Sequence, residues 1–216
     1  MFGVNSTNKQ MPNKFLTKED VVATATAQGL EPALLQAVAD VESAGRGFLG
    51  SGRLKVLFEG HVFYQELLHV GIDPVPLTVK YPMLVYKNWT NLYYMGGERE
   101  WLRVNQAKTI HAEAAYRSTS WGMFQLMGFN SLKAGYDTVF SMVVSFEMGE
   151  FFQLQSIVRW LDATSLLAIL KAKDWPRFAH GYNGPGYKTN RYDERLNNAY
   201  IMRVAQGWNN GTGGAA

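Results

Sequence analysis

The residue best placed for chemistry is a glutamate on the apolar face of a predicted helix. Glu42 follows Leu35 by seven residues and Val38 by four, and this spacing puts the three side chains on one helical face. In the last turn of that helix, the negative end of the helix dipole and partial burial both raise the expected pKa of a carboxyl group. An acid that stays protonated near neutral pH can protonate a leaving oxygen, as in glycosidic bond cleavage. Position alone also fits an exposed glutamate at a frayed helix end.

Glu59 is a second candidate acid. It lies 17 residues after Glu42, between a predicted strand at 55–58 and a predicted helix that begins near Gly60. A carboxylate beside the first turn of a helix interacts favourably with the dipole and the free amides there, so structural capping explains Glu59 without a catalytic role. Three further acids near apolar segments are expected to pair with arginines or backbone groups. These acids are Glu113, Glu147 and Glu150.

The sequence lacks the residues that other kinds of catalytic site need. The chain has no cysteine, which excludes disulfides, thiolate metal sites and a cysteine nucleophile. No phosphate-binding or dinucleotide-binding loop occurs, and Ser43 and Ser120 lack the strand-turn-helix elbow of an esterase nucleophile. The four histidines show no pair at helical spacing. We therefore expect no metal and no cofactor, and carboxylate chemistry remains.

The composition indicates one globular domain. The 216 residues are 47% hydrophobic and 18% charged, which is enough apolar material for a core. The net charge of +3 comes without a long basic block, so no nucleic-acid partner is expected. The N-terminus is polar and gives no sign of a signal peptide. The most apolar stretch, 138–161, carries Glu147, Glu150 and Arg159 and is not expected to cross a membrane.

The pattern of caps and breakers predicts a mainly α-helical fold with at most a small β-hairpin. Thr17 can cap the first helix, although Asp20 stands where a full capping box has Glu or Gln. Pro32 opens the second helix, which ends near Gly45. The other predicted helices span 18–28, 60–68, 98–115, 121–127, 137–161, 163–172, 175–182 and 190–206. The expected organisation is a flexible arm at 1–16, one domain at 17–207 and a flexible tail at 208–216.

Several segments resemble a known enzyme family. Three segments of this chain resemble, in the same order, motifs of lytic transglycosylases and goose-type lysozymes. They are Val-Glu-Ser at 41–43, Ser-Trp-Gly-Met-Phe-Gln-Leu-Met-Gly at 120–128 and Ala-His-Gly-Tyr-Asn-Gly-Pro-Gly-Tyr at 179–187. The chain is more similar to the N-acetylmuramidase family of bacteriophage endolysins, which it resembles also in Phe-Glu-Gly-His at 58–61 and in the segment 89–94. Each motif is weak alone, but the ordered set is specific.

This resemblance implies a lysozyme-like α domain that cuts the β-1,4 bond between N-acetylmuramic acid and N-acetylglucosamine in peptidoglycan. Glu42 would be the general acid, and Glu59 a second acid that orients or activates water. Tyr182 would lie over the cleft and help to place Glu42. The implied substrate contacts are Ser43, Ser120, Trp121, Gln125 and Asn183. The residue types alone also fit a core tyrosine at 182 and a buried polar glutamine at 125.

Two departures from the transglycosylase pattern, Phe124 and the pair Gly184-Pro185, favour the endolysin muramidases. The product stays open, because one acid can serve hydrolysis by water or a transglycosylation that forms an anhydro sugar. A non-catalytic peptidoglycan-binding or phage structural protein is a further alternative, since fold alone does not give function. The acid on the apolar stripe argues against it.

The resemblance also implies where such a protein acts. It would accumulate in the host cytoplasm and reach the peptidoglycan of the periplasm once a holin opens the inner membrane, causing lysis. It would act on glycan strands as a monomer, without stable membrane insertion.

Aromatic residues cluster between Tyr81 and Trp101. Sugars present flat apolar faces on which tyrosine and tryptophan rings pack, so Trp89 and Tyr93 are candidates for the wall of a glycan cleft. The alternative, which is about as well supported, is that these rings anchor the long proline-containing connection around Pro74, Pro76 and Pro82.

Overall fold

Amphipathic helices make up most of the fold, and the prediction of a mainly α-helical, lysozyme-like domain is confirmed. The computed structural model describes residues 13–43 and 46–209, with the backbone alone at Ser43. No helix in this part of the chain is long and apolar enough to cross a membrane. The α-helices of the described residues are α1 (Lys18–Ala27), α2 (Pro32–Ser43), α3 (Gly60–His69), α4 (Val75–Lys80), α5 (Gly97–Ile110), α6 (Ala112–Arg117), α7 (Val139–Met148), α8 (Glu150–Ala163), α9 (Leu166–Lys171), α10 (Trp175–Asn183) and α11 (Tyr192–Ala205), and two 3-10 helices span Gly128–Asn130 and Pro185–Lys188.

The pairing of α2 with α11 positions the predicted acid. On α2, Leu34, Leu35 and Val38 are fully buried, which confirms the apolar stripe. Arg203 of α11 donates to both carboxylate oxygens of Asp40 on α2, at 2.6 and 2.7 Å. This packing brings the last turn of α2 against the first turn of α11.

Three short antiparallel strands form the sheet, in the order β1 (Val56–Phe58), β2 (Thr119–Trp121) and β3 (Leu126–Met127). The prediction of a buried helix at 121–127 is wrong, because the chain turns there and Trp121 pairs with Leu126. The turn needs positive φ values at Gly122 (71°) and Gln125 (47°), which a right-handed helix cannot contain. A Cβ at Gly122 would also lie 2.6 Å from the Gln153 side chain.

Two predicted long helices are each divided into two. The helix predicted at 137–161 breaks at Gly149, whose φ of 155° is open only to glycine. A Cβ there would lie 3.2 Å from the carbonyl oxygen of Asn13, so the break also lets the N-terminal segment approach closely. The helix predicted at 98–115 is interrupted by the extended residue His111, whose Nδ1 accepts from the Ala114 amide and caps α6. The predicted irregular connection contains the short helix α4.

Both chain ends of the described part contact the domain. The buried Glu150 carboxylate accepts from the amides of Leu16 at 2.8 Å and Gly47 at 2.7 Å. At the other end, Trp208 packs against the core and the side chain of Asn209 accepts from the Ala33 amide at 3.1 Å. The ends of the predicted arm and tail, 1–12 and 210–216, lie outside the described residues. The division into arm, domain and tail stays a prediction.

Candidate active site

Glu42 occupies the last turn of α2, as predicted, and is held by α11. The hydroxyl of Tyr192, the first residue of α11, donates to Glu42 Oε1. Burial raises the pKa of Glu42 to about 7, while the hydrogen bond from Tyr192 and the charge of Arg195 lower it. Glu42 therefore titrates near neutral pH, and burial is the main cause.

Tyr182, at the end of α10, lies in a stack of rings that ends beside Glu42. Its ring stacks on that of Tyr192 with centroids 6.0 Å apart and on that of Phe178 at 5.6 Å. Its hydroxyl is buried and has no hydrogen-bond partner among the described residues. Burial and the charge of Glu42 raise the pKa of Tyr182 well above its usual value, so the group stays a neutral phenol. Sequence reasoning missed Tyr192, which belongs to none of the motifs and meets Glu42 only in the folded chain.

Glu59 forms a second hydrogen-bonded group with Tyr94, which lies in the aromatic-rich segment between Tyr81 and Trp101. It precedes α3 but makes no side-chain capping bond, so the structure does not support the capping interpretation. Its two carboxylate oxygens lie 2.9 and 2.7 Å from the Tyr94 hydroxyl, which donates to them. The Nδ1 atom of His61 lies 3.4 Å from Glu59 Oε2. Burial and the hydrogen bond to Glu59 raise the pKa of Tyr94, which keeps its proton available for donation.

The turn between β2 and β3 is closed by its own polar groups. Ser120 donates to Gln125 Oε1 at 3.0 Å, and Gln125 Nε2 donates to the Gly122 carbonyl at 2.8 Å. The side chain of Trp121 is fully buried and donates from its indole to the Tyr116 carbonyl. The structure therefore places the Trp121 side chain in the core, where it supports the turn and has no surface to offer to a sugar. Ser120 and Gln125 line the turn, and their contact with substrate stays a prediction.

The other predicted contacts belong to other segments of the chain. Asn183 is exposed at the end of α10, next to Tyr182. Trp89 is 64% exposed, whereas Tyr93 packs on Tyr86 with ring centroids 5.3 Å apart. The side chain of Ser43 lies outside the described residues.

Glu42 and Glu59 thus belong to two separate hydrogen-bonded groups. The Glu42 side chain accepts from Tyr192 of α11, and the Glu59 side chain accepts from Tyr94 in the connection that follows α4. The sheet joins Glu59 to the β2–β3 turn, because its amide donates to the Ser118 carbonyl and Ser120 Oγ donates to the Leu57 carbonyl. The described residues contain no group of three or more histidines and carboxylates arranged to bind a metal ion.

The exposure of Trp89 separates two interpretations of the aromatic cluster. We expect Trp89→Ala to lower activity on peptidoglycan about 3- to 10-fold, the worth of one aromatic packing contact, and to leave the melting temperature unchanged. Tyr93→Ala should lower both, because its ring also packs on Tyr86. Turnover and thermal unfolding measure the two effects, with the 72% exposed Leu132 changed to Ala as a control. A loss of stability without a loss of activity would show that Trp89 anchors the connection and does not contact the glycan.

The raised pKa of Glu42 predicts a pH-dependent stability. Folded Glu42 keeps its proton up to a pH of about 7, whereas an unfolded glutamate loses it near 4.5, so the folded state binds more protons between these values. The free energy of unfolding should therefore fall as the pH rises through this window. Glu42→Gln cannot titrate, so it should match the wild type below about pH 4 and exceed it by about 3 kcal/mol above about pH 8. Urea denaturation across this range measures the difference, and a constant difference would contradict the prediction.

A mainly helical domain with a small sheet, and a half-buried glutamate of raised pKa at the end of its second helix, define the lysozyme-like class. The model of the family described as Muramidase, N-acetylmuramidase, matches residues 31–203, a segment that contains Glu42, Glu59, Tyr182 and Tyr192. The chain therefore belongs to the N-acetylmuramidase family, and its class is that of the peptidoglycan hydrolases.

A solved structure supports the same fold. The chain is similar to the crystal structure of Burkholderia AP3 phage endolysin, with a TM-score of 0.83 and 36% sequence identity. The similarity covers 90% of this chain and 72% of that one. No curated protein sequence matches the chain significantly.

Proposed function

We propose that this chain is a bacteriophage endolysin that hydrolyses the β-1,4 bond between N-acetylmuramic acid and N-acetylglucosamine, with Glu42 as the general acid. The observation that carries the proposal is the carboxyl group of Glu42, which lies on the apolar stripe of α2 with a pKa of about 7 and a tyrosine as its hydrogen-bond partner. A binding module has no need of such an acid. Membership in the N-acetylmuramidase family and the likeness to a phage endolysin support the same activity.

In the proposed reaction, Glu42 transfers its proton to the glycosidic oxygen and the bond from that oxygen to C1 of N-acetylmuramic acid breaks. A water molecule attacks C1 and passes one proton to the Glu59 carboxylate, which leaves a new reducing end, and exchange with solvent then returns a proton to Glu42. Glu59 is the proposed partner that orients this water, because its carboxylate is held by a hydrogen bond from the Tyr94 hydroxyl. The exposed Trp89 and Asn183 and the partly buried Tyr93 are proposed glycan contacts, as are Ser43 and the turn with Ser120 and Gln125.

The proposed setting is host lysis. The enzyme would collect in the host cytoplasm as a monomer and reach the periplasmic peptidoglycan after a holin opens the inner membrane. Its net charge of +3 would favour contact with an anionic cell wall.

The products of digestion test this function. Purified Gram-negative peptidoglycan is incubated with wild type and with Glu42→Gln, and the released fragments are reduced with borohydride and weighed by mass spectrometry. We expect fragments that end in reduced muramic acid from wild type and almost none from Glu42→Gln.

Three other outcomes would revise the proposal. Fragments lighter by one water molecule and resistant to reduction would identify a transglycosylase, in which the muramic 6-hydroxyl attacks in place of water. Fragments that end in reduced glucosamine would move the cut to the other glycosidic bond. No release from wild type would favour a non-catalytic wall-binding protein.

A further inference from the structure

Helix α11 supplies two tyrosine hydroxyls to glutamates at or next to α2. Tyr192 donates to Glu42 Oε1, and Tyr200 donates to Glu31 Oε2 at 2.6 Å. Arg195, between them in sequence, donates to the Val41 carbonyl at 3.2 Å. Only the first of these tyrosines touches the proposed acid.

The bond from Tyr192 decides which oxygen of Glu42 can carry the acidic proton. A protonated carboxyl group has one hydroxyl oxygen and one carbonyl oxygen, and the carbonyl oxygen is the better acceptor. Because Oε1 accepts from Tyr192, the proton belongs on Oε2, where it is free for transfer. After transfer, the same bond joins a phenol to a carboxylate and becomes stronger, because hydrogen bonds to charged groups are stronger than neutral ones.

Tyr192 is well suited to remain a donor in both states. Burial and the charge of Glu42 raise the pKa of Tyr192 far above its usual value, so it does not ionise during the reaction. Its ring is fixed by stacking on Tyr182. Among the described residues, the titratable and charged groups that act on Glu42 are Tyr192 and Arg195 of α11 and Tyr182 of α10.

We propose that Tyr192 is a positioning residue for the acid, which holds the proton of Glu42 on Oε2 and stabilises the carboxylate left after proton transfer. This inference rests on the proposed function of Glu42. It predicts that Tyr192 controls the strength of the acid as well as its orientation.

The test compares Tyr192→Phe with Tyr200→Phe, which removes a tyrosine-glutamate bond from the same helix away from the proposed acid. Without the hydroxyl of Tyr192, the carboxylate loses a stabilising bond, so kcat on soluble glycan fragments should fall about tenfold with KM unchanged. The alkaline limb of the pH profile should move to higher pH. In ¹³C NMR, the carboxyl signal of Glu42, assigned by its absence from Glu42→Gln, should titrate at higher pH as well. Tyr200→Phe should shift neither.

A second variant covers the case in which Tyr192→Phe does not fold. Replacing Tyr192 with 3,5-difluorotyrosine keeps the ring and makes the hydroxyl a stronger donor, so the alkaline limb and the Glu42 titration should both move to lower pH. The role of Tyr192 would be overturned if both Tyr192 variants kept the wild-type alkaline limb and the wild-type Glu42 titration. It would also be overturned if Tyr200→Phe moved these two quantities as far as Tyr192→Phe does. The failure of the proposed function would look different, because wild type would then release no fragments while the NMR titration still reported on the bond.

Discussion

Glu42→Gln should lower the rate of peptidoglycan cleavage about 100- to 10,000-fold while the protein stays folded. General acid catalysis contributes 10²- to 10⁴-fold, and the glutamine amide has no proton acidic enough to give to a leaving oxygen. The amide oxygen can still accept from Tyr192, so the packing between α2 and α11 should persist. Clearing of outer-membrane-permeabilised Gram-negative cells measures the loss, and circular dichroism measures the fold.

Glu113→Gln is the matched control for this loss. Glu113 is exposed on α6, and its change to glutamine removes the same charge away from the site. The control should clear cells at the wild-type rate. Equal clearing by Glu42→Gln and wild type would show that the acid lies elsewhere, and Glu59 would then be the next residue to test.

Glu100→Gln should be among the most destabilising single changes outside the apolar core. Glu100 and Arg103 of α5 form a buried ion pair, with exposures of 0% and 2%. Removing one charge leaves the other buried without its partner, which typically costs about 3 to 5 kcal/mol. The free energy of unfolding from urea denaturation measures this cost.

The ion pair of Glu100 and Arg103 also holds both ends of the segment 83–95, which carries the proposed glycan contacts Trp89 and Tyr93. Glu100 accepts from the amides of Phe58 and Met95, and Arg103 donates to the carbonyls of Phe58 and Met83. We therefore expect Glu100→Gln to lower activity at temperatures where most of the protein is still folded. Arg191→Met breaks the exposed pair with Glu194 and serves as the control, since exposed pairs contribute little. Equal stability of Glu100→Gln and wild type would contradict the prediction.

The sequence predicts local structure here better than long-range contacts. The stripe through Leu35 and Val38 places Glu42 on a buried face, and the cap at Thr17 forms a complete box because Asp20 reaches back to the Thr17 amide at 3.0 Å. Both signals lie within a few residues along the chain, where helical geometry fixes the distances.

The missed features depend on contacts or backbone angles that no local pattern encodes. The segment 121–127 has the apolar composition of a buried helix, yet the positive φ of Gln125 makes it a turn between strands. Tyr192 carries no helical or motif signal that links it to Glu42. The family resemblance implied Tyr182 as the tyrosine beside the acid, whereas in the structure Tyr192 donates to Glu42 and the ring of Tyr182 stacks on that of Tyr192.

The separation of Glu42 from Tyr192 bears on when the enzyme becomes competent during its synthesis. The two residues lie 150 positions apart, and Leu16 and its partner Glu150 lie 134 apart. A ribosome adds about 5 to 20 residues per second, so the partner of Glu42 emerges many seconds after Glu42 itself. A nascent chain that ends before α11 has the proposed acid but not the tyrosine proposed to orient its proton. The proposed pairing of acid and tyrosine can therefore form only after α11 has been synthesised.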